Sequence, residues 1–122
     1  MRSILPYLND LESIPRMPQK ELLHTIELYR LTRSESARNV IIEQYLPLIP
    51  QLLLRYKGQG IPLPDLLQEA NTRLIEIVSD LSPQIDDLRA YIIKSINNRI
   101  LNVLRAQGNY TKLLSNIKNL SL

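Results

Sequence analysis

The chain has 122 residues, a length that fits one domain and allows a core to form without a metal or a disulfide. It contains no cysteine and one histidine, which excludes a disulfide scaffold, a thiolate zinc site and a catalytic thiol. The net charge of +3 is unevenly distributed, because the charged residues from Leu88 onward are all basic. A basic end on an otherwise neutral chain indicates either a polyanionic partner or a solvated tail.

Prolines set the pattern of the amino-terminal part. Residues 1–16 contain Pro6 and Pro15 and are expected to be irregular or to form one short helix. A longer helix is predicted over about 18–31, because Pro18 is tolerated in a first turn and apolar residues follow at helical spacing. These apolar residues are Leu22, Leu23, Ile26 and Tyr29.

A capping pattern marks the start of the next helix. Thr32 and Glu35 stand three residues apart, as in a capping box, which predicts a helix that begins near Arg33 and runs toward Leu46. Its inward-facing residues are expected to be Val40, Ile41 and Tyr45.

Two prolines interrupt this helical region. Pro47 and Pro50 predict a kink or a short break, because a proline inside a helix removes a hydrogen bond and clashes with the preceding turn. A helical piece that reaches Tyr56 is expected to follow. Residues 57–64, with the sequence KGQGIPLP, hold two of the three glycines and are predicted to form a loop.

The helix predicted over 64–79 has the clearest amphipathic pattern. Pro64 fits its first turn, and the helix divides into two faces. The apolar face carries Leu66, Leu67, Ala70, Leu74, Ile77 and Val78. The opposite face is polar and carries Asp65, Gln68, Glu69, Thr72 and Glu76.

A last long helix is predicted over about 86–106, ending at Gly108, after a cap or loop at Ser82-Pro83. Its apolar face carries Ile92, Ile93, Ile96, Ile100, Val103 and Leu104. Its other face mixes cations, amides and one aromatic ring: Tyr91, Lys94, Asn98, Asn102 and Arg105. These side-chain types can bind phosphate, pair with adenine and stack on an unpaired base, although an ordinary solvated face has the same composition.

Signals for catalysis are weak. His24, flanked by glutamates on a predicted helix, is interpreted as a surface residue, and no metal-ligand spacing or phosphate-binding glycine loop is present in the sequence. No enzyme activity, cofactor or metal is therefore expected. The sequence has no apolar run long enough to cross a membrane and no apolar leader, so a cytoplasmic protein without membrane contact is expected.

Residues 37–82, ARNVIIEQYLPLIPQLLLRYKGQGIPLPDLLQEANTRLIEIVSDLS, resemble the second conserved region of bacterial RNA polymerase sigma factors. Within that span, DLLQEANTRL at residues 65–74 is similar to the family pattern DLIQEGNIGL. Residues 7–30 resemble the segment that precedes this region, and 87–107 resemble the helix that reads and melts the minus-ten element. The resemblance implies an all-α bundle of about four to five helices.

The resemblance also implies two sets of binding residues. The polymerase-binding set, which would contact the clamp helices of the largest catalytic subunit of core RNA polymerase, is Asp65, Gln68, Glu69 and Asn71 by resemblance, together with Thr72 and Glu76 from the polar face of the same predicted helix. The DNA-binding set, which would contact promoter minus-ten DNA, is Tyr91, Lys94, Asn98, Arg99 and Arg105 by resemblance, together with Asn102 from the polar face of the same predicted helix. We expect residues 1–108 to form one domain with segment 1–33 packed on it, and 109–122 to form a basic, Asn-rich tail or short helix.

Two departures from the family pattern leave alternatives open. The melting helix has Tyr91 where housekeeping sigma factors have several aromatic residues, and the printed sequence ends before any region that would bind the minus-thirty-five element. One hypothesis is a minimal sigma factor that needs a second factor for upstream contacts. Another is a decoy or regulator that binds polymerase without melting the promoter. A third is a helical domain that uses the same fold for an unrelated protein contact.

Overall fold

The computed structural model describes residues 5–120, and it describes their side chains except at 109–113, 119 and 120. The described chain is all-α and contains no strand, which confirms the predicted fold class. Six α-helices follow one another in the order α1 Leu5–Glu12, α2 Gln19–Thr32, α3 Glu35–Tyr45, α4 Ile49–Leu53, α5 Leu63–Asp80 and α6 Leu88–Leu120. Two 3₁₀ turns, Leu46–Leu48 and Leu54–Tyr56, flank α4.

The amino-terminal part forms one short helix, α1, which is one of the two alternatives that the sequence predicted. Pro6 is the second residue of α1, where its missing N–H removes no helical hydrogen bond. The link to α2 is held by Gln44, whose Oε1 accepts from the N–H of Met17 at 2.8 Å and whose Nε2 donates to the carbonyl of Pro15 at 2.9 Å. Helix α2 begins directly after Pro18, one residue later than predicted.

The predicted capping box is wrong. The cap of α3 is Ser34, whose hydroxyl accepts from the N–H of Ala37 at 3.4 Å, and the Thr32 hydroxyl instead donates back to the carbonyl of Leu28 at 2.7 Å. Between the two helices, Arg33 has a left-handed backbone with φ of 55°. A left-handed residue ends a helix, so α2 stops at Thr32 and α3 begins at Glu35 rather than at Arg33.

The break predicted at Pro47 and Pro50 is confirmed. Pro47 lies in the 3₁₀ turn that follows α3, and Pro50 lies in the first turn of α4. The loop that follows contains Gly58 and Gly60, whose φ angles of 79° and 101° fall in the region that favours glycine. The loop is slightly shorter than predicted, because α5 already begins at Leu63.

The core is formed mainly by α2, α3, α4, α5 and α6. All six apolar residues predicted on the inner face of α5 are buried. On α6, Ile92, Ile96 and Ile100 are fully buried, and Ile93 and Leu104 pack against them partly buried. Burial of this kind contributes about 1.5–3 kcal/mol for each large aliphatic side chain. The shared core therefore fixes which faces of α5 and α6 point outward.

The expected end of the last helix at Gly108 is wrong. Helix α6 starts at Leu88 and continues without interruption to Leu120, and Gly108 has no positive φ. A glycine lowers helix stability and commonly ends a helix by adopting a left-handed conformation, which Gly108 does not do. At its start, the carboxylate of Asp87 accepts from the N–H of Ala90 at 3.1 Å and so caps the helix, while Ser82-Pro83 lies in the preceding loop. The predicted domain boundary at residue 108 stays a prediction.

A glycine-to-alanine exchange tests the continuity of α6. We expect Gly108→Ala to stabilise the carboxy-terminal half of the helix by up to about 1 kcal/mol, because alanine has less backbone entropy to lose than glycine. A Cβ added at Gly108 would meet no atom within 4 Å. Amide hydrogen exchange after this residue should slow by up to roughly fivefold.

The control for this exchange is Gly58→Ala. Its φ of 79° is strained for alanine, so this variant should lose stability. Faster hydrogen exchange in Gly108→Ala would mean that the helix ends at this glycine after all.

Candidate functional site

The polar face of α5 lies at the surface, and four of its five polar residues are exposed. We call this surface the α5 stripe and define it as Asp65, Gln68, Glu69, Thr72 and Glu76. The stripe points outward because the opposite face of α5 is buried in the core. Asp65 lies in the first turn, where a carboxylate is favoured by the helix dipole. The side chains of Glu69 and Glu76 are partly exposed, at 40% and 44%.

One arginine from α6 reaches across to the α5 stripe. The Nε of Arg99 donates to Oε2 of Glu69 at 3.0 Å, and its terminal nitrogen Nη2 lies 3.5 Å from Oε1 of Glu76. Arg73 on α5 contacts the other oxygen of Glu76 at 3.3 Å. The hydrogen bond to Glu69 raises the pKa of Arg99 above its ordinary value. An arginine side chain is charged at physiological pH with or without such a partner. Two of the three carboxylates of the stripe are thus already paired within the chain.

A cleft of about 400 Å³ lies where the α5 stripe meets α6. Its lining residues are Ile61, Asp65, Gln68, Glu69, Thr72, Arg99 and Val103. Four of the six members of the predicted polymerase-binding set therefore line one concave surface together with Arg99. A much larger groove of about 1660 Å³ is lined mainly by residues of α1 to α4 and contains none of the predicted site residues.

Asn71 is set apart from the α5 stripe, although it belongs to the predicted polymerase-binding set. Its side chain is half-buried, and its amide Nδ2 lies 3.3 Å from the hydroxyl of Tyr7 on α1. Its Oδ1 is buried without a hydrogen-bond partner among the described residues. The position of Asn71 thus connects α5 to the amino-terminal helix.

The polar face of α6 is exposed over about four helical turns. We call it the α6 polar face and define it as Tyr91, Lys94, Asn98, Asn102 and Arg105, all of which are exposed. The structure thus brings together five of the six members of the predicted DNA-binding set. Arg99 differs from them, since it lies at the border of this face and turns toward α5.

The contact between Arg99 and the stripe was missed by sequence reasoning. Arg99 and Glu69 are thirty residues apart and belong to different helices, so no local spacing predicts their contact. One signal was available, because Arg99 falls between buried Ile96 and exposed Asn102 on a helical wheel. A cation at the edge of an apolar face often reaches over the neighbouring helix.

Three further observations concern the described part of the chain. No group of three or more His, Cys, Asp or Glu residues is placed to hold a metal ion there. His24, interpreted as a surface residue, is exposed on α2. None of the helices described combines the length and the apolar character needed to cross a membrane.

Comparison with known proteins places these surfaces in a family context. The family model for sigma-70 region 2 matches residues 41–110, which is more than half of the chain and includes both the α5 stripe and the α6 polar face. The chain is also similar to the RNA polymerase sigma factor RpoH of Caulobacter vibrioides, from strains NA1000 / CB15N and ATCC 19089 / CIP 103742 / CB 15. Identity to each is 20% over 78 residues, covering 64% of this chain and 26% of the relative.

The chain thus spans about a quarter of the length of the curated relatives that it matches. The family match runs from the second half of α3 through α4 and α5 into α6, and it includes both polar surfaces. On this evidence, the chain belongs to the sigma-70 region 2 family.

Proposed function

We propose that the chain is a sigma-like transcription initiation factor that binds core RNA polymerase through the α5 stripe and contacts promoter minus-ten DNA through the α6 polar face. The observation that carries the proposal is the exposure of both surfaces on two helices that share one core. The resemblance to sigma factors implies a binding role for residues in each surface.

The polymerase-binding part rests on the shape and charge of the α5 stripe. The clamp helices of the largest catalytic subunit present basic side chains, and carboxylates with adjacent amide and hydroxyl groups are suited to bind them. Gln68 and Thr72 are exposed between the charged positions, so they are free to donate or accept hydrogen bonds in such a contact. The cleft beside them gives a partner side chain room to enter.

The DNA-binding part rests on the chemistry of the α6 polar face. Lys94 and Arg105 supply cations for phosphate, Asn98 and Asn102 supply amides for base edges, and Tyr91 supplies a ring for stacking. No catalytic group is required of this chain, because the polymerase carries out the chemistry of transcription. The chain then needs no cofactor or metal and acts in the cytoplasm with the polymerase.

A second candidate function is a sigma-like decoy or regulator that binds polymerase without promoter melting. The observation that favours it is the single aromatic ring, Tyr91, among the described side chains of α6. Base stacking contributes roughly 1–3 kcal/mol per base, so strand opening with one ring is weakly driven. Open-complex footprinting on supercoiled DNA separates the two: opened strands support the initiation factor, alone or with a second factor for upstream contacts, and binding without opening supports the decoy.

A charge reversal tests the polymerase contact. We expect Gln68→Lys to weaken binding to core polymerase at least about tenfold, because it places a cation against the basic clamp helices. The fold should persist, since Gln68 is exposed. Binding is measured by fluorescence anisotropy with labelled chain, and thermal unfolding is followed in parallel.

The matched control is Gln84→Lys, which adds the same charge at an exposed turn before α6. It should bind polymerase as the wild type does. If Gln68→Lys binds equally well to isolated clamp helices, the α5 stripe is not the docking surface.

A double substitution tests the DNA contact. We expect Lys94→Ala with Arg105→Ala to weaken binding of promoter DNA by the polymerase complex and to reduce the salt slope by about two, because each phosphate contact contributes about 0.9 to that slope. The control is Lys20→Ala with Lys57→Ala, which removes the same charge from exposed positions outside α6. An unchanged salt slope in the Lys94 and Arg105 variant would exclude this face as the DNA contact.

A further inference from the structure

Arg99 belongs structurally to both proposed surfaces. Its backbone lies on α6, three residues before Asn102, whereas its guanidinium is bound to Glu69 and Glu76 of the α5 stripe. The same two carboxylates are the groups that a cationic polymerase helix would approach. Arg99 therefore occupies, within the chain, the position that a partner cation needs.

The ion pair is of a kind that a partner can displace. The side chain of Arg99 is 36% exposed, and those of Glu69 and Glu76 are 40% and 44% exposed. Ion pairs in contact with water are weak, because solvent screens both charges and the long side chains lose entropy when they pair. A partner guanidinium that docks with surrounding contacts can take over Glu69 without unfolding either helix.

Release of Arg99 would change the charge of the α6 polar face. In the free chain that face carries two cations, Lys94 and Arg105. Arg99 lies at its border, one helical turn from Asn102, so a released guanidinium gains access to the same side of the helix. The number of cations available for phosphate would then rise from two to three.

We propose that Arg99 is an exchangeable link between the two surfaces: Glu69 and Glu76 hold it in the free chain, and a cationic polymerase helix that docks on these carboxylates displaces it toward the DNA-facing side of α6. This mechanism rests on the proposed function and assigns Arg99 as the residue that connects its two contacts. Polymerase binding strengthens DNA binding, and by reciprocity DNA binding strengthens polymerase binding.

A double-mutant cycle on the full free chain tests the link without polymerase. Binding of a short DNA duplex at low salt is measured for the wild type, Glu69→Gln, Arg99→Gln and the double variant. We expect Glu69→Gln to raise the affinity roughly two- to fivefold, the range of an exposed ion pair, and to steepen the salt slope by up to about one. In the Arg99→Gln background, Glu69→Gln should raise the DNA affinity only by the amount that follows from the removal of one negative charge.

Asp65→Asn is the control that measures how much the loss of one negative charge alone raises the DNA affinity. It removes one carboxylate from the same helix and the same cleft, and no ion pair joins Asp65 to Arg99 in the described structure. It should raise DNA affinity equally in both backgrounds and by less than Glu69→Gln does in the wild type. An equal effect of Glu69→Gln with and without Arg99 would overturn the proposal. If no variant binds the duplex, the α6 polar face of the free chain does not contact DNA. That result would overturn the proposed Arg99 link as well.

The displacement itself is observed by NMR of the Arg99 Nε–Hε group, assigned by its loss in Arg99→Gln. In the free chain this proton should be protected by Glu69, and saturation with a polymerase clamp-helix fragment should move the signal to that of a solvated arginine. An unchanged signal in a chain that binds the fragment overturns the link and leaves the proposed function standing. A chain that does not bind the fragment overturns both.

Discussion

The packing of α5 against α6 is the constraint on which the rest of the structure depends. Each helix is amphipathic, and the two contribute many of the fully buried residues of the core: Leu66, Ala70, Leu74 and Val78 from α5, and Ile92, Ile96 and Ile100 from α6. Because these apolar faces are buried against each other, the polar residues of both helices point outward. The α5 stripe and the α6 polar face are thus fixed as neighbours by apolar burial rather than by any contact between polar groups.

The sequence was sufficient where periodicity alone decides the structure. The predicted inner face of α5 is buried at all six positions, and the predicted α6 polar face is exposed at all five, because a continuous helix repeats its faces every 3.6 residues. Helix ends were harder to predict. Thr32 and Ser34 can each cap a helix, and the left-handed backbone of Arg33 selected Ser34.

Tertiary contacts and glycine conformation were beyond what local patterns can predict. Gly108 could end a helix or lie inside one, and only its backbone angles distinguish the two. The pairing of Arg99 with Glu69 depends on how two helices pack, so the sequence assigned Arg99 to the DNA-binding set, as the family resemblance implies, without its partner. The α5 stripe is acidic in the sequence. In the structure, Arg99 and Arg73 balance most of its negative charge, and the pairing with Arg99 depends on tertiary contacts.

This balance has a consequence for the proposed function. An acidic surface that is already paired attracts a basic partner less strongly over long range than its carboxylate count suggests, because the nearby guanidinium groups reduce its field. Recognition then depends more on hydrogen bonds and shape at short range. The exposed side chains of Gln68 and Thr72 and the adjoining cleft are the features that could supply such specificity.

The central claim is that the α5 stripe docks on core RNA polymerase, and site-specific photocrosslinking tests it most directly. A photoreactive residue is placed at Thr72, in the middle of the stripe, and in a separate sample at His24, which is exposed on α2. With core polymerase present, the residue at position 72 should crosslink to the clamp helices of the largest catalytic subunit, and the residue at position 24 should not. Absence of a crosslink from position 72 in a chain that binds polymerase, or crosslinks of equal yield from both positions, would contradict docking through this surface.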